Sequence, residues 1–244
     1  MSGGSPRADA PEAPAVSLLM PVYSSGHRAA AAVARLTAAL APSGPIELLF
    51  CDDGSPDDSL TRLEALKAGS SGALVRVLSQ PNRGLGHTLR RLIAEACADA
   101  CVYLDVDLSF DPTHLPRLIH LLGEYDLVVA SKYRGAPCRV PWQRRLCSRA
   151  FCWLVHRLSG TRVRDIGSGM VAFRRRAVAA LGLESEGFNI HAELFDKVHR
   201  AGWRVREEPV PYVHTPGSFH PLRHGLLAVR DLIAYRLRSA RQRC

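Results

Sequence analysis

The first half of the chain alternates short apolar runs with segments whose apolar residues recur at helical spacing. The apolar runs cover residues 16–20, 46–51, 75–78 and 101–104. Runs that are almost continuously apolar are typical of strands buried on both faces of a parallel sheet. The helical segments between them carry Val33, Leu36 and Leu40, then Leu60, Leu63 and Leu66, then Leu85, Leu89 and Leu92. This β-α-β-α order predicts an α/β, Rossmann-like fold with a mostly parallel sheet flanked by helices.

The second half continues with shorter elements. A fifth strand is predicted at 127–131, another in GSGMVAF, a short helix around 177–181, and a loop entering a helix in GFNIHAELFDKVHRAG. VREEPVPYV contains two prolines, which indicates an extended piece at a sheet edge. We expect a disordered arm at 1–15, a single domain at 16–221 and a basic amphipathic C-terminal helix at 222–244.

Acidic residues follow the fourth apolar run. Ligands of open α/β sheets bind at the carboxyl ends of the strands, so the loops at these ends are the candidate site. Asp105 and Asp107 flank Val106, and on an extended backbone both carboxylates would point to the same side. Two carboxylates this close repel each other unless a cation lies between them, and their oxygens suit Mg²⁺ or Mn²⁺. The alternative is a solvated loop without a ligand.

Two further loops carry candidate ligand groups. Asp52 and Asp53 end the second run, where a carboxylate can accept hydrogen bonds from a nucleobase or ribose. Asn82, Gly84 and Gly86 precede a predicted helix and could offer backbone N–H groups to an anion. The third glycine of a dinucleotide-binding fingerprint is missing, which argues against NAD or FAD.

The chain is basic, with a formal net charge of +9. Residues 132–164 carry many arginines, no acidic residue, and interleaved Trp142, Phe151, Trp153 and Leu154. This pattern suits a helix at an anionic membrane surface, but also an ordinary amphipathic helix packed on the core, or a subunit contact. The motifs of nucleic-acid-binding domains are missing, so nucleic acid is not an expected partner.

The expected location is cytoplasmic, with a peripheral position at the cytoplasmic face of the membrane as the alternative. The seven cysteines form no C-x-x-C pair, which predicts free thiols in a reducing compartment. Residues 1–15 lack the apolar core of a secretory signal, and no apolar run reaches the roughly 18 residues needed to span a bilayer.

Seven short motifs occur together in one order: PVYSSG, CDDGSPDDS, NRGLGHTLR, YLDVDLSFDP, ASKYRG, DIGSGMVAFRR and GFNIHAELF. In this order they resemble the inverting GT-A glycosyltransferases of family 2, of the dolichyl-phosphate mannosyltransferase or polyprenyl-phosphate glycosyltransferase type. The resemblance implies transfer of a hexose, with inversion, from GDP-mannose or a UDP-hexose to a polyprenyl or dolichyl phosphate. It also implies a divalent cation, Mg²⁺ or Mn²⁺.

The same resemblance implies roles for individual residues. The cation would bind at Asp105 and Asp107, and the catalytic candidates are Asp107, Glu193 and Asp165. Ser168 and Gly169 would lie on the acceptor side. The residues expected at the donor are Pro21, Tyr23, Asp52, Asp53, Asn82, Gly84, Asp105, Val106, Lys132, His214 and His220. Lys132 takes the place of an arginine in relatives and could pair with a substrate phosphate, or be a solvated surface lysine.

The chain departs from the family pattern at several of these positions. Ser24 and Ser25 replace an Asn-Glu pair, and His214 and His220 replace the arginine and lysine that flank the late glycine loop. Histidine can bind phosphate when protonated or ligate a metal when neutral. Two alternatives therefore stay open: a soluble glycosyltransferase with a hydroxyl acceptor, which would need Glu193 or Asp165 as base, and a catalytically inactive relative acting as a binding subunit.

Overall fold

The computed structural model describes residues 13–67, 73–215 and 235. Within these ranges the chain builds a seven-stranded sheet in the order β3-β2-β1-β4-β7-β5-β8. The strands are β1 Val16–Val22, β2 Ile46–Asp53, β3 Ala73–Gln80, β4 Ala100–Leu104, β5 Leu127–Ser131, β7 Met170–Arg174 and β8 Val205–Pro209. A two-stranded ribbon pairs β6 Cys138–Arg139 with β9 Tyr212–Val213.

The predicted mostly parallel sheet is confirmed. All neighbouring pairs in the large sheet are parallel except those of β7, which runs antiparallel between β4 and β5. The carboxyl ends of β1, β2, β4 and β5 therefore meet at one edge, together with the amino end of β7. The strand containing Pro209 is at the outer edge of the sheet, as the prolines in its sequence predicted.

Helices cover both faces of the sheet. They are α1 Ala29–Leu40, α2 Ser59–Leu66, α3 Leu85–Glu95, α4 Leu115–Leu121, α5 Trp142–Ser159, α6 Arg175–Ala180 and α7 Ile190–Arg200. The buried residues of α1, α2 and α4 form one core cluster with one face of the sheet, and those of α3, α5, α6 and α7 form a second cluster with the other face. Side chains alternate along β1, so Leu18 and Met20 enter the first cluster and Leu19 the second.

The acid-free segment 132–164 folds as the short strand β6 followed by the long helix α5. The predicted C-terminal helix 222–244 lies outside the described residues except for Tyr235, as do residues 1–12 of the predicted arm and His220. Tyr235 is helical and buried, and its hydroxyl donates a 2.8 Å hydrogen bond to Asp196 of α7. Across the described part of the chain, we find no helix that is both long enough and apolar enough to cross a bilayer.

Gly86 at the start of α3 marks a close approach between two loops. A Cβ added there would lie 2.1 Å from the carbonyl oxygen of Ser185. We expect Gly86→Ala to lower the free energy of unfolding by about 1–3 kcal/mol, because the Ser185 backbone must move. Gly123→Ala is the control: its Cβ would meet only the His120 carbonyl at 3.4 Å. Urea unfolding compares the two variants, and equal stability would contradict the close packing.

Candidate functional site

Asp105 and Asp107 lie at the carboxyl end of β4, but not on an extended backbone as the sequence analysis expected. The strand ends at Leu104, and the Leu108 amide donates a 3.0 Å hydrogen bond to the Asp105 carbonyl, which closes a turn. Leu108 has a φ of +45°, a conformation that L-residues adopt rarely. A four-residue turn, rather than an extended strand, therefore brings the two aspartates together.

Asp105 is held by Tyr103 of β4 and by Gly169, which directly precedes β7. The Tyr103 hydroxyl donates a 2.6 Å hydrogen bond to Asp105 Oδ1, and the Asp105 amide donates to the Gly169 carbonyl at 3.0 Å. A Cβ on Gly169 would lie 2.1 Å from Asp105 Oδ2. Glycine is therefore required at 169 for the carboxylate to occupy its position.

Asp107 is fixed by a different set of contacts. Its oxygens accept hydrogen bonds of 3.0 Å from the amide and the hydroxyl of Ser109, and the Arg28 guanidinium is 3.9 Å away. The Ser109 carbonyl accepts a bond from the Val213 amide of β9, and the Ser109 hydroxyl lies 3.3 Å from that of Thr215. His214 lies between Val213 and Thr215 in the chain, so its backbone is close to the aspartate turn.

The aspartate pair provides hard oxygen ligands at an accessible edge of the sheet. Asp105 is exposed and Asp107 half-buried. Val106 between them is buried in the core, so only its backbone is available to a ligand. In the described ranges, no group of three or more His, Cys, Asp or Glu side chains is arranged to hold a metal. A cation bound at this pair would take its other ligands from water or from an anionic substrate.

The loops after β1 and β2 are joined to each other. The Ser24 amide donates to the Ser55 hydroxyl at 3.0 Å, and the Gly26 amide donates to the Ser59 hydroxyl at 2.9 Å. Tyr23 is 46% exposed at the end of β1, which also carries Pro21. The contact at position 24 is made by the backbone amide and does not depend on the serine side chain.

Asp52 and Asp53 are both buried but differ in what they contact. Asp52 Oδ2 accepts a 3.2 Å bond from the Ser55 amide, whereas its buried Oδ1 has no hydrogen-bond partner among the described residues. Asp53 accepts hydrogen bonds from Gln80 and from the amides of Arg83 and Gly84, at 2.8–2.9 Å. Asp52 Oδ1 can therefore still accept a hydrogen bond from a ligand. Both oxygens of Asp53 already accept hydrogen bonds from protein groups.

The N-terminus of α3 binds a carboxylate of the protein itself, that of Asp53. Gly84 donates its amide to Asp53, and the amides of Gly86 and His87 donate to the Glu186 carbonyl at 2.6 and 3.3 Å. The backbone amides that were predicted to bind an anion therefore already donate hydrogen bonds to protein groups. The donor-binding role of Gly84 and of Asn82, which is exposed in the same loop, stays a prediction.

Lys132 is not a solvated surface lysine. Its Nζ is 2.6 Å from Asp165 Oδ1, its side chain is only 9% exposed, and its amide donates to Asp165 Oδ2 at 3.1 Å. The ammonium also lies 5.0–5.6 Å from the ring centroids of Phe110, Tyr133 and Tyr212. Burial raises the pKa of Asp165, and the neighbouring ammonium of Lys132 opposes this shift.

A cavity of about 720 Å³ opens between the β5–β6 segment and α5. Its lining combines cationic groups with aromatic and sulfur groups: Lys132, Arg145, Arg149, His156 and Arg164, with Tyr133, Cys138, Cys152 and Trp153. Phe110 and Tyr212 pack edge to face at 4.9 Å, and both contact Lys132. Since Phe110 is three residues after Asp107 and lies beside Lys132, which lines the cavity, the basic cavity and the aspartate pair are near each other.

Glu193 and Ser168 are fully buried and bound to other protein groups. Glu193 accepts bonds from the amides of Glu184 and Ser185 and pairs with Lys197 at 2.8 Å. Burial alone would raise the pKa of Glu193, but these hydrogen bonds hold it below its ordinary value. The Ser168 hydroxyl donates to the Ala130 carbonyl at 2.6 Å. The catalytic role of Glu193 and the acceptor-side role of Ser168 stay predictions.

Two residues of the site, Tyr103 and Arg28, were not predicted from the sequence. Tyr103 precedes Asp105 by two residues, so strand periodicity could have indicated that the two side chains share a face. Arg28 follows β1 in the chain, and only the folded structure brings it near Asp107.

The known proteins that are similar to the chain in sequence are glycosyltransferases. Residues 17–182 match the family model described as "Glycosyl transferase family 2". The undecaprenyl-phosphate 4-deoxy-4-formamido-L-arabinose transferase of Serratia proteamaculans is 30% identical over 221 residues, which are 89% of this chain and 65% of the relative. The enzyme of the same name from Sodalis glossinidius is 30% identical over 168 residues, 68% of this chain and 51% of the relative.

The solved structures that resemble the chain include glucosyl-3-phosphoglycerate synthase from Mycobacterium tuberculosis in complex with Mn²⁺ and uridine-diphosphate-glucose. The TM-score is 0.66 with 21% identity, covering 91% of this chain and 79% of the other. This likeness supports the GT-A fold. The chain spans about half to two thirds of the length of the curated relatives it matches. Because the family model covers more than half of the chain, the protein belongs to glycosyl transferase family 2.

Proposed function

We propose that this chain transfers a hexose, with inversion, from a nucleotide diphosphate sugar to a polyprenyl phosphate, and that a divalent cation binds at Asp105 and Asp107. The observation that carries the proposal is the basic cavity beside the aspartate pair, which gives a phosphate-bearing acceptor a place next to the donor. The donor is GDP-mannose or a UDP-hexose.

The nucleoside is assigned to the edge formed by β1 and β2. The buried Oδ1 of Asp52 has no partner among the described residues and would otherwise remain an uncompensated polar atom. A nucleobase N–H or a ribose hydroxyl would satisfy it. Tyr23 offers an exposed ring beside Pro21 for contact with the nucleoside. Asp53 supports this site indirectly, by fixing the loop before α3.

The diphosphate is assigned to the aspartate turn. A cation held here would neutralise the charge that develops on the departing nucleoside diphosphate. Asp105 and Asp107 would hold it, and their oxygen chemistry fits Mg²⁺ or Mn²⁺. The complex of the mycobacterial synthase with Mn²⁺ and uridine-diphosphate-glucose supports a divalent cation. His214, whose chain neighbours Val213 and Thr215 contact Ser109, is the candidate to join as a neutral ligand or, protonated, to bind phosphate. His220 stays a candidate for the same role.

The acceptor phosphate is assigned to the basic cavity. Arg145, Arg149 and Arg164 supply charged donors without a described carboxylate in the lining, and guanidinium groups suit phosphate oxygens. Lys132 adds positive charge to the wall, although Asp165 already neutralises most of it. The relatives from Serratia proteamaculans and Sodalis glossinidius are named for undecaprenyl phosphate, a polyprenyl phosphate, which supports a lipid phosphate here.

A phosphate acceptor also agrees with the state of the candidate bases. A hydroxyl acceptor needs a carboxylate to remove its proton. Asp165 is enclosed with Lys132, and Glu193 is bound to two amides and Lys197. A phosphate oxygen is already anionic at neutral pH, so the protein need only orient the reactants. The alternative with a hydroxyl acceptor therefore lacks an accessible base at the positions predicted for one.

Helix α5 suits contact with an anionic membrane. Trp142, Leu146 and Trp153 are 61–71% exposed and share one face of the helix, with the exposed Arg149 on the same face. Aromatic and cationic residues together favour the headgroup region of an anionic bilayer. A lipid phosphate drawn from that bilayer would enter the cavity directly below this face of α5. The proposed location is peripheral, at the cytoplasmic face.

Transfer in vitro tests the proposed function. The purified chain is incubated with GDP-mannose or UDP-hexoses, Mn²⁺ or Mg²⁺, and polyprenyl phosphate in liposomes. We expect one donor to yield a glycosylated lipid phosphate, in higher yield from anionic than from neutral liposomes, and no product with Asp107→Asn. Glycosylation of hydroxyl acceptors alone would reject the lipid assignment, and equal yields from Asp107→Asn would reject the cation site.

Arginine replacement tests the acceptor cavity. We expect Arg149→Ala to raise the KM for polyprenyl phosphate about tenfold, because a charge-assisted hydrogen bond to phosphate is lost, with the KM for the nucleotide sugar unchanged. The control is Arg204→Ala, since this exposed arginine precedes the amino end of β8, at the opposite edge of the sheet. Equal KM values for the lipid in both variants would place the phosphate elsewhere.

A further inference from the structure

Tyr103 is the side chain of the sheet interior that contacts Asp105. It lies on β4, is 3% exposed, and its hydroxyl donates a 2.6 Å hydrogen bond to Asp105 Oδ1. Asp105 itself is exposed at the carboxyl end of the sheet. The bond therefore connects a rigid part of the core to a carboxylate that reaches solvent.

The surroundings of Tyr103 keep its hydroxyl a hydrogen-bond donor. The Tyr103 hydroxyl is the proton donor of the bond to Asp105, because an ionised carboxylate can only accept. The His191 ring of α7 packs on the tyrosine ring at 5.3 Å between centroids. Burial lowers the pKa of His191 to about 4, so this neighbour is neutral at physiological pH. The phenol is held in place by packing, and a buried hydroxyl without its partner would be unfavourable.

The opposite side of the Asp105 carboxylate is closed by Gly169. The position where a Cβ would project from Gly169 is only 2.1 Å from Asp105 Oδ2. One oxygen is thus hydrogen-bonded to Tyr103 while the other lies against the backbone at 169. A surface aspartate normally samples several rotamers, but these two contacts select one.

We propose that Tyr103 is a positioning residue that fixes the Asp105 carboxylate in the orientation that binds the divalent cation of the nucleotide sugar. The inference rests on the cation site of the proposed function and adds the group that orients one of its ligands. A metal ligand oriented in advance loses less conformational freedom on binding, so the metal binds more tightly. Asp107 has its own support from Ser109, which is why loss of the Tyr103 hydroxyl weakens the site without abolishing it.

The test measures Mn²⁺ binding to Tyr103→Phe by electron paramagnetic resonance of free Mn²⁺, with UDP or GDP present. We expect a dissociation constant for Mn²⁺ about tenfold higher than that of the unaltered chain. The matched control is Tyr235→Phe, which removes a 2.8 Å bond between another buried tyrosine and an aspartate, Asp196, on α7. Its melting temperature is expected to fall, with Mn²⁺ binding unchanged.

The outcomes separate this inference from the proposed function. If the unaltered chain binds no Mn²⁺ with either nucleotide, the cation site is wrong, and the inference with it. If the unaltered chain binds Mn²⁺ and Tyr103→Phe binds it equally well, the inference alone is wrong. Gly169→Ala gives a second approach, because its Cβ displaces the carboxylate from the other side; normal Mn²⁺ affinity in this variant would also overturn the role of the fixed orientation.

Discussion

The repulsion between two carboxylates within one turn is the constraint on which the site depends. Asp105 and Asp107 are separated by one residue, and the Arg28 guanidinium lies 3.9 Å from Asp107. The fold accommodates them by giving each carboxylate a separate donor, the Tyr103 hydroxyl for Asp105 and Ser109 for Asp107. Two carboxylates this close to each other favour a cation between them. The cation in turn favours a diphosphate, so the proposed donor chemistry follows from this local electrostatic arrangement.

Other carboxylates of the chain serve the structure around this edge. Asp53 orders the loop before α3, Asp165 neutralises Lys132, and Glu193 holds the loop that caps α3. Each is buried with hydrogen-bonded partners, as expected for a charge removed from water. Asp52 differs because one buried oxygen is unpartnered within the described residues. The site therefore combines a few accessible acids with several buried ones that keep the loops in place.

The sheet and its helices were predictable because apolar periodicity depends on local sequence. The aspartate pair was found for the same reason, since it follows a recognisable strand. Sequence could not reveal that Asp53, and not a substrate, occupies the amides before α3, because residues 30 positions apart form that contact. The same holds for the enclosure of Lys132 by Phe110, Tyr133 and Tyr212, which depends on the pairing of β6 with β9. The backbone turn at Asp105 was missed because the positive φ of Leu108 has no signal in its residue type.

Titration calorimetry of UDP and GDP, with and without Mn²⁺, shows whether Asp105 and Asp107 hold a cation against the diphosphate. We expect Mn²⁺ to strengthen the binding of one nucleotide to the unaltered chain, and this coupling to disappear when Asp105 and Asp107 are both replaced by asparagine. Equal nucleotide affinity with and without Mn²⁺ in the unaltered chain would contradict a cation held between these two aspartates and the diphosphate.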